Sequence, residues 1–88
     1  MDAKRKRFAA NLARARQTCG VSQEELGQRT GLHRTEISLL ERGGREPRLE
    51  ILVKLAAALD TEVEALCAGI AWSTERRSFR VDPPPRRR

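Results

Sequence analysis

Apolar residues in the first 69 positions follow a helical period, and those after Gly69 follow a period of two. Phe8, Leu12, Ala15 and Cys19 recur at spacings of four, three and four, which predicts a first helix from about Ala3 to Thr18, ended by Gly20. Arg7, Asn11 and Arg14 fall on its other faces. Ser22 with Glu25 three residues on forms a capping-box pattern that opens a second helix over Gln23–Thr30. Gly31 marks the reversal, and a third helix runs from Arg34 to Arg42, just before Gly43. Leu26, Leu32, Ile37 and Leu40 are spaced to pin this pair against one core.

Gly43-Gly44-Arg45-Glu46-Pro47 reads as a loop, since glycines and a proline punctuate both ends. A fourth helix over Leu49–Leu59 turns Leu52, Leu55, Ala56 and Leu59 inward. Arg48 before it cannot accept a hydrogen bond, so its start is weakly capped. A second capping-box pattern, Thr61 with Glu64, predicts a fifth helix that buries Val63, Leu66 and Cys67 and ends at Gly69. Beyond it Ile70 and Trp72 alternate, four polar residues intervene, and Phe79 and Val81 alternate again. Folded as a hairpin, Ile70 faces Val81 and Trp72 faces Phe79. The intervening Thr74-Glu75-Arg76-Arg77 lacks the Gly or Asn that tight turns favour. An isolated hairpin is marginal in water, so this one must pack on the helical body or on a second subunit.

Two short helices joined at a glycine, with each end punctuated, is the layout of a DNA-reading helix-turn-helix. The segment Ser22–Gly43 resembles the lambda-repressor-like (Xre) family in Gln23, Gly27, Gly31, Ile37-Ser38 and Glu41-Arg42-Gly43, and the likeness extends over roughly residues 6 to 68. The resemblance implies an all-α, five-helix lambda-repressor-like domain over residues 1–69. The hairpin or arm over 70–82 and a disordered basic tail over 83–88 follow from the pattern beyond it.

The 88 residues suffice for one small domain. The net charge of +6 is uneven, with +2 on residues 1–69 and +4 on residues 70–88, which suits a polyanionic partner. No stretch approaches the roughly 20 apolar residues that span a bilayer, and no signal peptide pattern is visible, so the expected compartment is a bacterial or phage-infected cytoplasm. Two cysteines and one histidine without metal-ligand spacing argue against zinc. Cys19 and Cys67 sit on apolar helix faces and are expected to be buried free thiols. No catalytic pairing, phosphate loop or metal cluster points to an enzyme, and no cofactor or small-molecule ligand is expected.

By the family's pattern, the base-reading positions are Arg34, Thr35, Glu36, Ser38 and Leu39. An arginine can donate twice to guanine, and a carboxylate can accept from cytosine. Many relatives carry an aromatic residue where this chain has Glu36. Gln23, with Arg42, Arg45 and Arg48 around the following loop, is a candidate phosphate contact, and His33 beside the turn reads as a cap or a phosphate contact. The resemblance makes Arg16 and Glu41 an ion pair that holds the third helix. Ile70, Trp72, Phe79 and Val81 are the expected dimerisation surface. The expected function is a sequence-specific regulator of transcription, a homodimer on an inverted repeat in double-stranded DNA. The rival is an antitoxin-type protein whose main partner is a toxin.

Overall fold

The computed structural model describes residues 2–85, in which five helices precede a two-stranded antiparallel hairpin. The first helix, α1 (Ala3–Cys19), starts where the Asp2 carboxylate accepts the Lys4 N–H at 2.8 Å. A bond from the Lys4 ammonium, together with that backbone one, holds the Asp2 carboxyl below its ordinary pKa. The next helix, α2 (Gln23–Thr30), starts on Ser22, whose hydroxyl accepts the Glu25 N–H at 3.0 Å. Only that half of the expected box forms, because the Glu25 carboxylate turns to Arg29 at 3.1 Å. A reciprocal box occurs instead at α3 (Arg34–Glu41), between His33 and Glu36. An imidazole nitrogen thus takes the place a serine hydroxyl usually holds.

Helix α4 (Leu49–Ala58) follows Arg48 and has no side-chain cap, as expected. The predicted box at Thr61 does not form. Asp60 takes a positive φ of 52°, which moves the start of α5 (Val63–Leu66) on by one residue and makes Glu62 its uncapped first flank. The expected burial of Cys19 is also corrected. It is the last residue of α1, where the chain turns away, and it is exposed. Cys67 is half-buried, and burial, aided by the Glu64 charge, pushes its thiol pKa up.

The helices close on Leu12, Leu26, Ile37, Leu40, Leu55 and Leu66, all nearly inaccessible, with Phe8, Val21, Ala56 and Leu59 around them. Each such side chain contributes about 1.5–3 kcal/mol on burial, enough to fix the helix faces that the 3.6-residue period marks. Gly27 lies inside α2 against the turn. A Cβ there would stand 2.5 Å from the Leu32 carbonyl oxygen, so the α2–α3 connection passes where only glycine leaves room.

Strand β1 (Ile70–Ser73) pairs with β2 (Ser78–Val81) in the expected register, Ile70 opposite Val81 and Trp72 opposite Phe79. Arg77 supplies the left-handed position of the turn, at φ 56°. Ile70 is half-buried and packs against the helical core of its own subunit. Trp72 and Phe79 stay about half exposed, at 54% and 50%, with ring centroids 5.1 Å apart, edge to face. The Lys4 ammonium lies 4.6 Å from the Phe79 ring centre. Of the tail expected to be disordered, Pro83 is held by Arg7, whereas Arg86–Arg88 lie outside the described residues. No helix among the described residues is long and apolar enough to cross a membrane.

Candidate nucleic-acid interface

Helix α3 is held from behind by one ion pair. Arg16, near the end of α1, donates from Nε to Glu41 Oε2 at 2.6 Å and from its Nη2 to Oε1 at 3.0 Å, and its Nη1 donates to the Val21 carbonyl at 2.9 Å. The Glu41 side chain is only 7% exposed. Bonding to Glu41 raises the Arg16 pKa further, against the opposing effect of burial. The two-pronged geometry fixes direction as well as distance, so the axis of α3 is set relative to α1. The expected Arg16–Glu41 pair is therefore present.

Gln23 joins the same cluster. Its carboxamide donates to Glu41 Oε1 at 3.1 Å, so in the free protein the donor group expected to face a phosphate points inward. The start of α2 remains beside it on the surface, with Ser22 and Glu24 exposed.

At the opposite end of α3, the residues expected to read bases differ sharply in how free they are. Arg34 is exposed, and no hydrogen bond or ion pair engages its side chain among the described residues. Thr35 is exposed but tied locally, its hydroxyl 2.8 Å and its N–H 3.1 Å from His33 Nδ1. The Glu36 carboxylate is half occupied. One oxygen accepts the His33 N–H at 3.4 Å, and the other lies 3.9 Å from Arg45 across the following loop. Ser38 is half-buried. Leu39 packs on the loop, where a Cβ on Gly44 would come within 2.4 Å of its Cδ1. The fold thus brings Arg34, Thr35 and Glu36 together at one exposed helix end and turns Leu39 toward the loop. Arg42 folds back on the Ser38 carbonyl at 3.3 Å, while Arg45 and Arg48 stand exposed beyond it.

A second polar cluster, at the far side of α1, was not anticipated. Arg7 is 8% exposed. It donates from Nε to Asn11 Oδ1 at 3.1 Å and from Nη1 to the carbonyls of Asp82, at 3.0 Å, and Pro83. Asn11 in turn donates to the Leu66 and Ala68 carbonyls, both at 2.9 Å. Gly69, at φ 83°, makes room: a Cβ there would lie 2.6 Å from the Arg7 guanidinium carbon. The only hint in the sequence was the polar run Arg7, Asn11 and Arg14 beside the apolar face of the first helix, which reads equally as a solvated face. No three His, Cys, Asp or Glu residues among those described are grouped to hold a metal ion.

Comparison with known proteins agrees with this geometry. The Control protein C.SmaI of Serratia marcescens is 42% identical over 59 residues, which are 67% of this chain and 70% of that protein. An uncharacterized HTH-type transcriptional regulator of Sinorhizobium fredii is 43% identical over 60 residues, but that match, 68% of this chain, spans only 31% of the relative's length. Among solved structures, the restriction-modification controller protein C.AhdI from Aeromonas hydrophila superimposes with a TM-score of 0.71 at 38% identity, covering 74% of this chain and 98% of that one. The P22 c2 repressor, solved in complex with a synthetic operator, superimposes with a TM-score of 0.66 at 29% identity over 70% of this chain and 94% of its own. The helix-turn-helix family HTH_3 matches residues 12–66, from the core face of α1 to the end of α5, and the chain belongs to that family.

Proposed function

We propose that this protein is a transcriptional regulator that binds double-stranded DNA sequence-specifically, as a homodimer on an inverted repeat. The observation that carries the reading is the exposed guanidinium of Arg34, unengaged among the described residues, at the start of α3, a helix whose angle the Arg16–Glu41 pair fixes. With α3 in the major groove, Arg34 donates twice to a guanine, worth about 1–3 kcal/mol of discrimination. Thr35 and Ser38 offer hydroxyls beside it, and Glu36 accepts from a cytosine if it leaves His33. Leu39 contributes an apolar edge at the margin. His33, Arg42, Arg45 and Arg48, with Gln23 once its carboxamide leaves Glu41, hold the phosphate backbone on either side. The P22 c2 repressor bound to its operator supports the same use of the fold.

One helix-turn-helix reads a few base pairs, and two copies about one helical turn apart supply useful specificity. The half-exposed Trp72 and Phe79, beside Val81, are the proposed contact between copies. The net charge of +6 favours the polyanion. The reading assigns no catalytic step, needs no cofactor, and places the protein in a bacterial or phage-infected cytoplasm.

Selection of bound sequences from a random duplex pool at moderate salt tests this. An enriched motif with two inverted halves is expected, with log affinity falling steeply against log salt. A pool that returns no motif sinks it. The exposed aromatic pair also favours a second reading, in which the hairpin docks on a different protein such as a toxin. Under that reading the chain is a monomer when alone, which light scattering on the purified protein decides.

A further inference from the structure

We propose that Arg7 is the positioning residue that sets which half-site spacing the dimer accepts. The inference rests on the dimer reading above and goes beyond it, to a residue outside both the DNA surface and the hairpin. Helix α1 joins two clamps. At Arg16 it grips the recognition helix through Glu41. At Arg7 it grips the base of the hairpin through the carbonyls of Asp82 and Pro83, and through Asn11 it grips the exit of α5 at Leu66 and Ala68. The hairpin's own base is closed where the Asp82 N–H donates to the Gly69 carbonyl at 2.8 Å. Both hairpin ends therefore converge on one guanidinium, in the space Gly69 leaves by having no Cβ.

Nine residues separate Arg7 from Arg16, so the clamps lie about 14 Å apart along the axis and about 180° apart around it. Between them α1 holds neither glycine nor proline, so it has no built-in hinge. The distance and rotation from the dimer arm to the recognition helix are thus carried by one stiff helix with an anchor at each end. With hairpins joined across the two-fold axis, that distance fixes the separation of the two recognition helices and hence the spacer between half-sites. The bonds at Arg7 leave two nitrogens, Nε toward Asn11 and Nη1 toward both hairpin carbonyls, a spread that a single ammonium nitrogen does not reproduce.

The test uses the full chain and duplexes built from the half-site that the wild-type protein itself selects, with spacers from two base pairs shorter to two longer than its optimum. Wild-type protein is expected to prefer its optimum over one-base-pair changes by about tenfold. Arg7→Gln is expected to cut that preference to about threefold or less while keeping the same half-site motif and nearly unchanged affinity for a single half-site. Arg7→Lys is expected to behave like Arg7→Gln. If Arg7→Gln does not fold, as judged by circular dichroism, Arg7→Lys, which keeps the charge and loses the guanidinium geometry, carries the test. Undiminished spacing preference in a folded variant overturns the role of Arg7 and leaves the dimer intact. A wild-type protein that shows no spacing preference and a monomer mass overturns the dimer reading and this inference together.

Discussion

Arg7 and Arg16 lie on one helix, and both guanidinium groups are largely withdrawn from water, yet their surroundings differ in kind. Arg16 meets a carboxylate in a two-pronged ion pair. Arg7 meets an amide oxygen and two backbone carbonyls. A paired charge couples two elements strongly, and losing either partner strands the other in a poor solvent. A charge held by carbonyls couples its element through dipoles that depend on backbone position, so the clamp is only as good as the hairpin's placement. The lesson is that the end of α1 beside Glu41 is locked by charge and the hairpin end by geometry.

The largest effect is expected from Glu41→Ala, which leaves Arg16 without its acid and frees the Gln23 carboxamide. Chemical denaturation should register a loss of about 3–5 kcal/mol, and a loss under 1 kcal/mol would contradict the locked pair. Gly69→Ala attacks the geometric end, combining a strained backbone with a Cβ inside the Arg7 pocket. It should cost about 1–3 kcal/mol, with greater accessibility of Trp72 to a fluorescence quencher. Unchanged quenching would mean that the hairpin does not depend on that clearance.

Arg34→Ala touches neither clamp. It should cost about 1–3 kcal/mol of binding at one base position with the melting temperature unchanged, and a uniform loss across all sequences would reassign Arg34 to phosphate. Trp72→Ala should raise the dimer dissociation constant about tenfold, the size of one lost aromatic contact. Equal masses at low concentration would leave the hairpin as a cap on its own subunit.

The smallest effect belongs to Asp2, at the exposed start of α1. Its folded pKa lies below the ordinary value of 3.8, so its contribution is present above that value and fades as pH falls through the lower, folded one. Asp2→Ala should therefore lower the melting temperature slightly at pH 7 and should make no difference at the acid end of that window.

The limits of sequence reading show in the helix starts. Ser22 capped α2 as expected, because a serine next to an apolar periodic run has little else to do. Thr61 sits in the same pattern and caps nothing, because the chain leaving α4 turns at Asp60 with positive φ and delivers it one position too early. His33, read from its place beside the turn as a cap or a phosphate contact, caps α3. Among the proposed base readers, the exposure of Arg34 was legible from its place after the turn. The diversion of Gln23 to Glu41, of Thr35 to His33 and of Leu39 to Gly44 was not, because each partner comes from a neighbouring turn or element. Arg7 was the furthest from view. Its partners lie 75 and 76 residues away, and nothing in a local window distinguishes it from a solvated arginine.

By itself, then, the sequence determined the helices, the helix-turn-helix between Ser22 and Gly43, and the hairpin register, all of which follow from short-range periodicity and end signals. The tertiary structure alone decided which α3 side chains are engaged and which stay exposed, that Ile70 packs on the core while Trp72 and Phe79 stay half exposed, and that the end of β2 hangs from Arg7. Those outcomes depend on which distant groups meet after the helices close, and a charged or aromatic side chain takes its role from the partners that burial gives it.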